Sequence, residues 1–89
     1  MKFLIDYDSQ PLKFLKNQDK HIAQRIIDKI DETLAENPVP HNAKSIVGHH
    51  NCFRIRIGKN RIIYRVDYQL RKIVIFKLDK RPRAYDNLD

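Results

Sequence analysis

Between Phe53 and Leu78, apolar residues recur at every second position, and the positions between them are largely basic. Phe53, Ile55 and Ile57 alternate with Arg54 and Arg56. Ile62, Tyr64 and Val66 alternate with Arg61, Ile63 and Arg65, and Val74, Phe76 and Leu78 alternate with Ile73, Ile75 and Lys77. A period of two is the side-chain repeat of a β-strand, whereas helix faces repeat about every 3.6 residues. The pattern demands three strands, each with one apolar and one mainly charged side. Gly58-Lys59-Asn60 supplies turn chemistry between the first two, and Tyr68-Gln69-Leu70-Arg71 links the second to the third. An antiparallel meander is the economical connection.

The apolar side then holds Phe53, Ile55, Ile57, Ile62, Tyr64, Val66, Val74, Phe76 and Leu78, and it needs a cover. The N-terminal half provides one. Phe3-Leu4-Ile5-Asp6-Tyr7 reads as a short strand, and Asp8 or Ser9 can cap a helix of about residues 9 to 17 that takes Pro11 early. Asp19 offers a second cap. Beyond it Ile22, Ile26, Ile30 and Leu34 recur every four residues, widened by Ala23, Ile27 and Thr33, which predicts a helix over 20–36 with a core-facing stripe. Asn37-Pro38-Val39-Pro40 stops it, because proline disfavours helical backbone before it and lacks the N–H to continue the ladder. A loop to about Asn51 follows. The expected fold is α+β in the order β-α-α-β-β-β, a single domain over 1–89 with two N-terminal helices on one face of a mainly antiparallel four-stranded sheet.

The uncovered side of that sheet is where charge collects. Residues 1–50 carry seven Lys+Arg against seven Asp+Glu, while residues 51–89 carry eleven against four, so the whole net charge of +7 lies in the second part. Arg54, Arg56, Arg61, Arg65 and Lys77 share the open face, with Ile63, Ile73 and Ile75 between them. Like charges on adjacent strands repel, at roughly a few tenths of a kcal/mol for each close pair, so a face that keeps five points to an anionic partner such as phosphate.

Other classes are excluded by what the chain lacks. The apolar run at the start is too short for a signal sequence, and no stretch approaches the roughly 18 apolar residues of a membrane span, so a cytoplasmic protein without membrane contact is expected. The single cysteine, Cys52, cannot form an intramolecular disulfide. His49-His50 beside Cys52 has no second ligand cluster at usable spacing, and His21 and His41 read as surface residues, so neither metal nor cofactor is expected.

The segments FRIRIGKNRIIYRVD (53–67) and IVIFKLDKRPRAY (73–85) closely resemble the RelE/ParE toxin superfamily, whose usual pattern is a YRxRxGxYRxIY-like hairpin followed by a terminal strand ending in HRxxxY. The order and lengths of the elements match as well. The resemblance to the RelE-like branch implies a toxin of a type II toxin–antitoxin system. Such a toxin is a ribosome-dependent, metal-independent endoribonuclease that cuts mRNA in the A site and so inhibits translation. It implies a RelB-like antitoxin as partner, together with ribosome and mRNA, and operator DNA through the toxin–antitoxin complex.

Carried over by position, the resemblance makes Arg61, Arg81 and Tyr85 catalytic, with Arg54 or Arg56 as the basic residue of the preceding strand. Around them Arg54, Arg56, Lys59, Arg65, Lys77, Lys80 and Arg83 are expected to bind RNA phosphates. The chemistry agrees: attack by a ribose 2′-hydroxyl builds negative charge on a pentacoordinate phosphorus, which guanidinium groups can hold bidentately. Tyr85 suits base stacking better than proton abstraction, since a phenol ionises only near pH 10. Two departures stand out. Lys80 occupies the place where a His often precedes the terminal arginine, and no Glu or His falls on the arginine face as a base, which leaves Lys59, Lys77 or Lys80 as proton acceptor. Two other readings stay open: a ParE-like inhibitor of DNA gyrase, and an inactive basic corepressor module.

Overall fold

The computed structural model describes residues 2–80. Seven elements follow one another: β1 (Leu4–Tyr7), α1 (Ser9–Lys16), α2 (Lys20–Leu34), β2 (Lys44–Ser45), β3 (Cys52–Ile57), β4 (Asn60–Asp67) and β5 (Lys72–Lys80). The strands form one mixed sheet in the order β1-β5-β4-β3-β2. Among the described strands only the β1–β5 pair is parallel; β2 to β5 are joined antiparallel. The sheet thus has five strands where the sequence pattern shows four. The additional one, β2, is two residues within the expected loop, too short to display a period.

Local chemistry sets the element boundaries. Asp8 caps α1 by accepting from the Ser9 N–H at 2.9 Å, and Pro11 sits in the first turn, where a helix has no use for its amide. Helix α2 ends at Leu34, two residues short of the expected 36. There the Ala35 carbonyl, left without a helical partner at the helix end, accepts from Phe3 N at 2.7 Å, which ties the end of α2 to the chain leading into β1. In the β3–β4 hairpin Ile57 faces Asn60, leaving Gly58-Lys59 as a two-residue loop with φ of 62° at Gly58. A positive φ at the first central residue is what a type II′ turn needs, and Gly supplies it without strain.

The helices share one core with the sheet. Leu15 of α1 and Ile26, Ile30 and Leu34 of α2 pack with Ile55, Ile57, Ile62, Tyr64, Val66, Ile73, Ile75 and Leu78. Tyr64 is fully buried, and its hydroxyl donates to the Pro38 carbonyl at 2.7 Å, which ties the segment after α2 to the sheet and meets the polar need of a buried phenol. Burial pushes the Tyr64 phenol up, with Tyr68 adding to the effect. Tyr7, partly covered, is pushed up to about 12 by burial first and then by the negative charge of Asp31. Among the described residues no helix is long and apolar enough to cross a membrane.

Two expectations about the faces need correction. On β5 it is Ile73, Ile75 and Leu78 that are fully buried, while Val74 and Phe76 lie half-buried on the arginine side. Strict alternation cannot bury positions 73, 75 and 78 together, and the strand resolves the conflict with a bulge. Ile63 pairs with Lys77 and Tyr64 with Ile75, so Phe76 has no opposite number and the phase flips there. The second correction concerns Ile22, expected in the core stripe but 40% exposed. It lines an open groove between α2 and the β3–β4 turn, at the end of the sheet, where none of the described strands covers it.

Candidate nucleic-acid interface

Residues directly opposite one another on neighbouring strands share a face, with Cβ atoms about 4.5–5.5 Å apart. On the side away from the helices this produces three rows. Arg56, Arg61 and Asp79 form the row nearest the β3–β4 turn. Lys44, Arg54, Ile63 and Lys77 form the next. Cys52, Arg65, Val74 and Asp6 form the third. Arg54, Arg56, Arg65, Lys44 and Lys77 are exposed, whereas Arg61 is half-buried between its neighbours on β3 and β5. Two arginines face each other directly across the hairpin.

Among the described residues, the carboxylates of this face lie away from β2 and β3. Asp6 stands on β1, Asp67 at the end of β4 and Asp79 on β5, while β2 and β3 carry none. Asp6 pairs with Lys72 at 2.9 Å. Asp79 lies 3.9 Å from the Lys77 ammonium and accepts from the Gln10 side chain at 3.3 Å. The part of the sheet formed by β2, β3 and the Arg61–Arg65 stretch of β4 therefore presents a positive field, bordered by the acidic groups of β1, β5 and the end of β4. That arrangement can orient a polyanion across the strands.

The structure brings Arg54, Arg56, Arg61, Arg65 and Lys77 together on one surface. Lys59 is exposed in the hairpin turn. Lys80 is placed elsewhere: it pairs with Asn60 and lines the groove of about 480 Å³ beside α2, on the helix side of the sheet. Arg81, Arg83 and Tyr85 lie outside the described residues. Of the three lysines weighed as proton acceptor, Lys77 is the one on the arginine face. Among the described residues no three His, Cys, Asp or Glu side chains gather as metal ligands.

Besides Val74, three residues of this surface escaped the sequence pattern. Lys44 joins it through β2, whose two residues carry no periodic signal. Asp79 is a carboxylate directly across from Arg61, visible only once the β4–β5 register is known. Phe76 arrives by the bulge, and the Arg65 guanidinium carbon lies 5.4 Å from its ring centroid. The last was accessible in principle: burying both Ile75 and Leu78 forces a phase change between them.

Comparison with known proteins agrees with this geometry. A family model described as the ParE toxin of the type II toxin–antitoxin system parDE matches residues 5–85. A protein of Methanocaldococcus jannaschii named "Putative toxin RelE1" is 36% identical over 90 residues, covering 98% of this chain and 99% of its own length. Among solved structures, the archaeal RelE–RelB complex from Pyrococcus horikoshii superposes with a TM-score of 0.72 at 27% identity, covering 93% of this chain and 99% of the other. The toxin–antitoxin complex RelBE2 from Mycobacterium tuberculosis reaches a TM-score of 0.75 at 19% identity over 91% of this chain and all of its own, a likeness of fold. With the family model spanning nearly all of the sequence, and the arginine-faced sheet in place, the chain belongs to the RelE/ParE superfamily of type II toxin–antitoxin toxins.

Proposed function

We propose that this protein is the toxin of a RelB–RelE-type pair and cleaves mRNA on the ribosome, in the cytoplasm, without a metal ion. The observation that carries the reading is the row Arg56–Arg61–Asp79 with Arg61 half-buried, next to exposed Arg54 and Lys77. A guanidinium held partly out of water contributes more to a developing phosphorane charge than one free in solvent, because its field is less screened.

In the proposed step the ribose O2′ attacks the adjacent phosphorus as the P–O5′ bond breaks, leaving a 2′,3′-cyclic phosphate and a 5′-hydroxyl. The proton of O2′ passes to a base on this face, and O5′ takes up a proton as it leaves. Lys77, as the neutral amine, is the acceptor on the arginine face among the lysines, and the ammonium it becomes returns the proton to O5′, with the Asp79 carboxylate 3.9 Å away beside it. Arg61 and Arg81 stabilise the transition state, Tyr85 stacks on a base, and Arg54, Arg56 and Arg65 position phosphates, with Lys59, Lys80 and Arg83 as outlying cations.

A RelB-like antitoxin as partner is supported by the RelB–RelE complexes among the similar structures. Its contacting segment should be acidic, since the groove beside α2 has an apolar floor and Arg25, Lys29, Lys59 and Lys80 among its lining residues. A gyrase-directed action is favoured by one observation, the description of the matching family model as ParE.

In vitro translation with purified protein and primer extension on the message separates the two. Message cleavage by the wild type, with Arg61→Ala and Arg81→Ala each reduced at least about 100-fold, supports the nuclease. Inhibition of DNA supercoiling with an intact message supports the gyrase reading instead.

A further inference from the structure

Phe76 is a large aromatic side chain on the wet side of a sheet, where β5 also sets Val74, Lys77 and Asp79. The bulge that carries it there disrupts the ladder between β4 and β5, so the placement is a built feature of the sheet. Half-buried Val74 and Ile63 lie nearby on the same face, and exposed Arg54, Arg65 and Lys77 surround this apolar island. Arg65 lies over the ring at 5.4 Å, within cation–π range.

An aromatic plate ringed by cations suits one class of ligand well, a single-stranded nucleotide whose base needs an apolar face and whose phosphates need positive charge. We propose that Phe76, with Arg65 over it, is a stacking platform for a base of the bound RNA. It lies on the same surface as Arg61, opposite the Ile63–Tyr64 step and so two to three strand residues, roughly 8 Å, along the sheet from it. The base it takes therefore belongs to a nucleotide neighbouring the scissile phosphate. Phe76 is a positioning residue, and its role rests on the RNA reading given above.

The test uses the full-length protein and a single-stranded RNA of about ten nucleotides, 2′-O-methylated against cleavage and carrying 2-aminopurine at successive positions. Stacking quenches the fluorophore at one position on the wild type, and Phe76→Tyr retains the quench. Phe76→Leu, which keeps an apolar side chain at the bulge, loses it and weakens binding by about 5-fold or more, while the slope of affinity against salt is unchanged because no phosphate contact is lost. A general loss of structure would alter that slope and the thermal midpoint together. RNA binding by the wild type with no quench at any position, or equal binding by Phe76→Leu, overturns the platform alone. Failure of the wild type to bind RNA overturns the RNA reading and the platform with it.

Discussion

The side-chain amide of Gln10 meets the backbone of Leu78 from both directions, donating to its carbonyl at 3.1 Å and accepting from its N–H at 2.9 Å. Strand β1 stops pairing with β5 at Tyr7 and Ile75, so α1 extends the ladder by one more rung with a side chain. The same amide also donates to Asp79, on the arginine face. One helix residue thus joins the core scaffold to the row that contains Arg61.

Replacing Gln10 by Ala should leave a partly buried Leu78 N–H without a partner, at a cost of about 1–2 kcal/mol. Urea unfolding will read this as a lower midpoint with an unchanged slope. A variant as stable as the wild type would show that water replaces the amide freely.

Removing the Tyr64 hydroxyl tests the tie between the sheet and the segment after α2. Tyr64→Phe preserves the ring but strands the Pro38 carbonyl, and should cost about 1 kcal/mol. Thermal unfolding should show a drop of several degrees, about 4–8 °C for a domain of this size.

Alkaline stability follows from Tyr7 and Tyr64, both held neutral in the fold. Their folded pKa values lie above the unfolded value of about 10, so the stability they contribute is complete below pH 10. It is lost as pH rises from there towards Tyr7's value of about 12 and beyond, because the unfolded phenol ionises first. Base-induced unfolding followed by circular dichroism should move to higher pH in Tyr7→Phe. An unmoved midpoint would mean that burial of this phenol carries no such penalty.

The arginine rows make a prediction about salt. If Arg54 and Arg65 each hold an RNA phosphate, then Arg54→Gln and Arg65→Gln should each lower the slope of log affinity against log salt by about 0.7. Binding isotherms at several salt concentrations, read by fluorescence anisotropy, measure the slope directly. An unchanged slope in both variants would place the RNA on another surface.

How far this arrangement could be read from the sequence depends on the length of each signal. The hairpin from Phe53 to Asp67 obeys one period throughout, and it was legible down to its faces and its turn. Helix α2 showed its stripe, but Ile22 looked like core because a stripe says nothing about where the covering sheet ends. Strand β5 was legible as a strand and misread in its faces, since Phe76 interrupts the period and Val, Ile and Phe are all apolar enough to satisfy either phase. Lys44 and Asp79 were missed because their places depend on pairing between strands, which leaves no local trace. Arg61 was located by its position in the hairpin, and the register puts Arg56 directly across from it.

The parallel pairing of β1 with β5 has a consequence for synthesis. Leu4 takes its place against Lys72, so one of the first strands to leave the translating ribosome waits for the last described one, and that late strand lies between β1 and β4. Contacts this distant in the chain slow folding, because a long loop must close before they form. The arginine face is therefore completed only when β5 has joined the β3–β4 hairpin and brought Phe76, Lys77 and Asp79 beside its arginines. A neutralising protein present during that interval could capture the chain before its surface is complete.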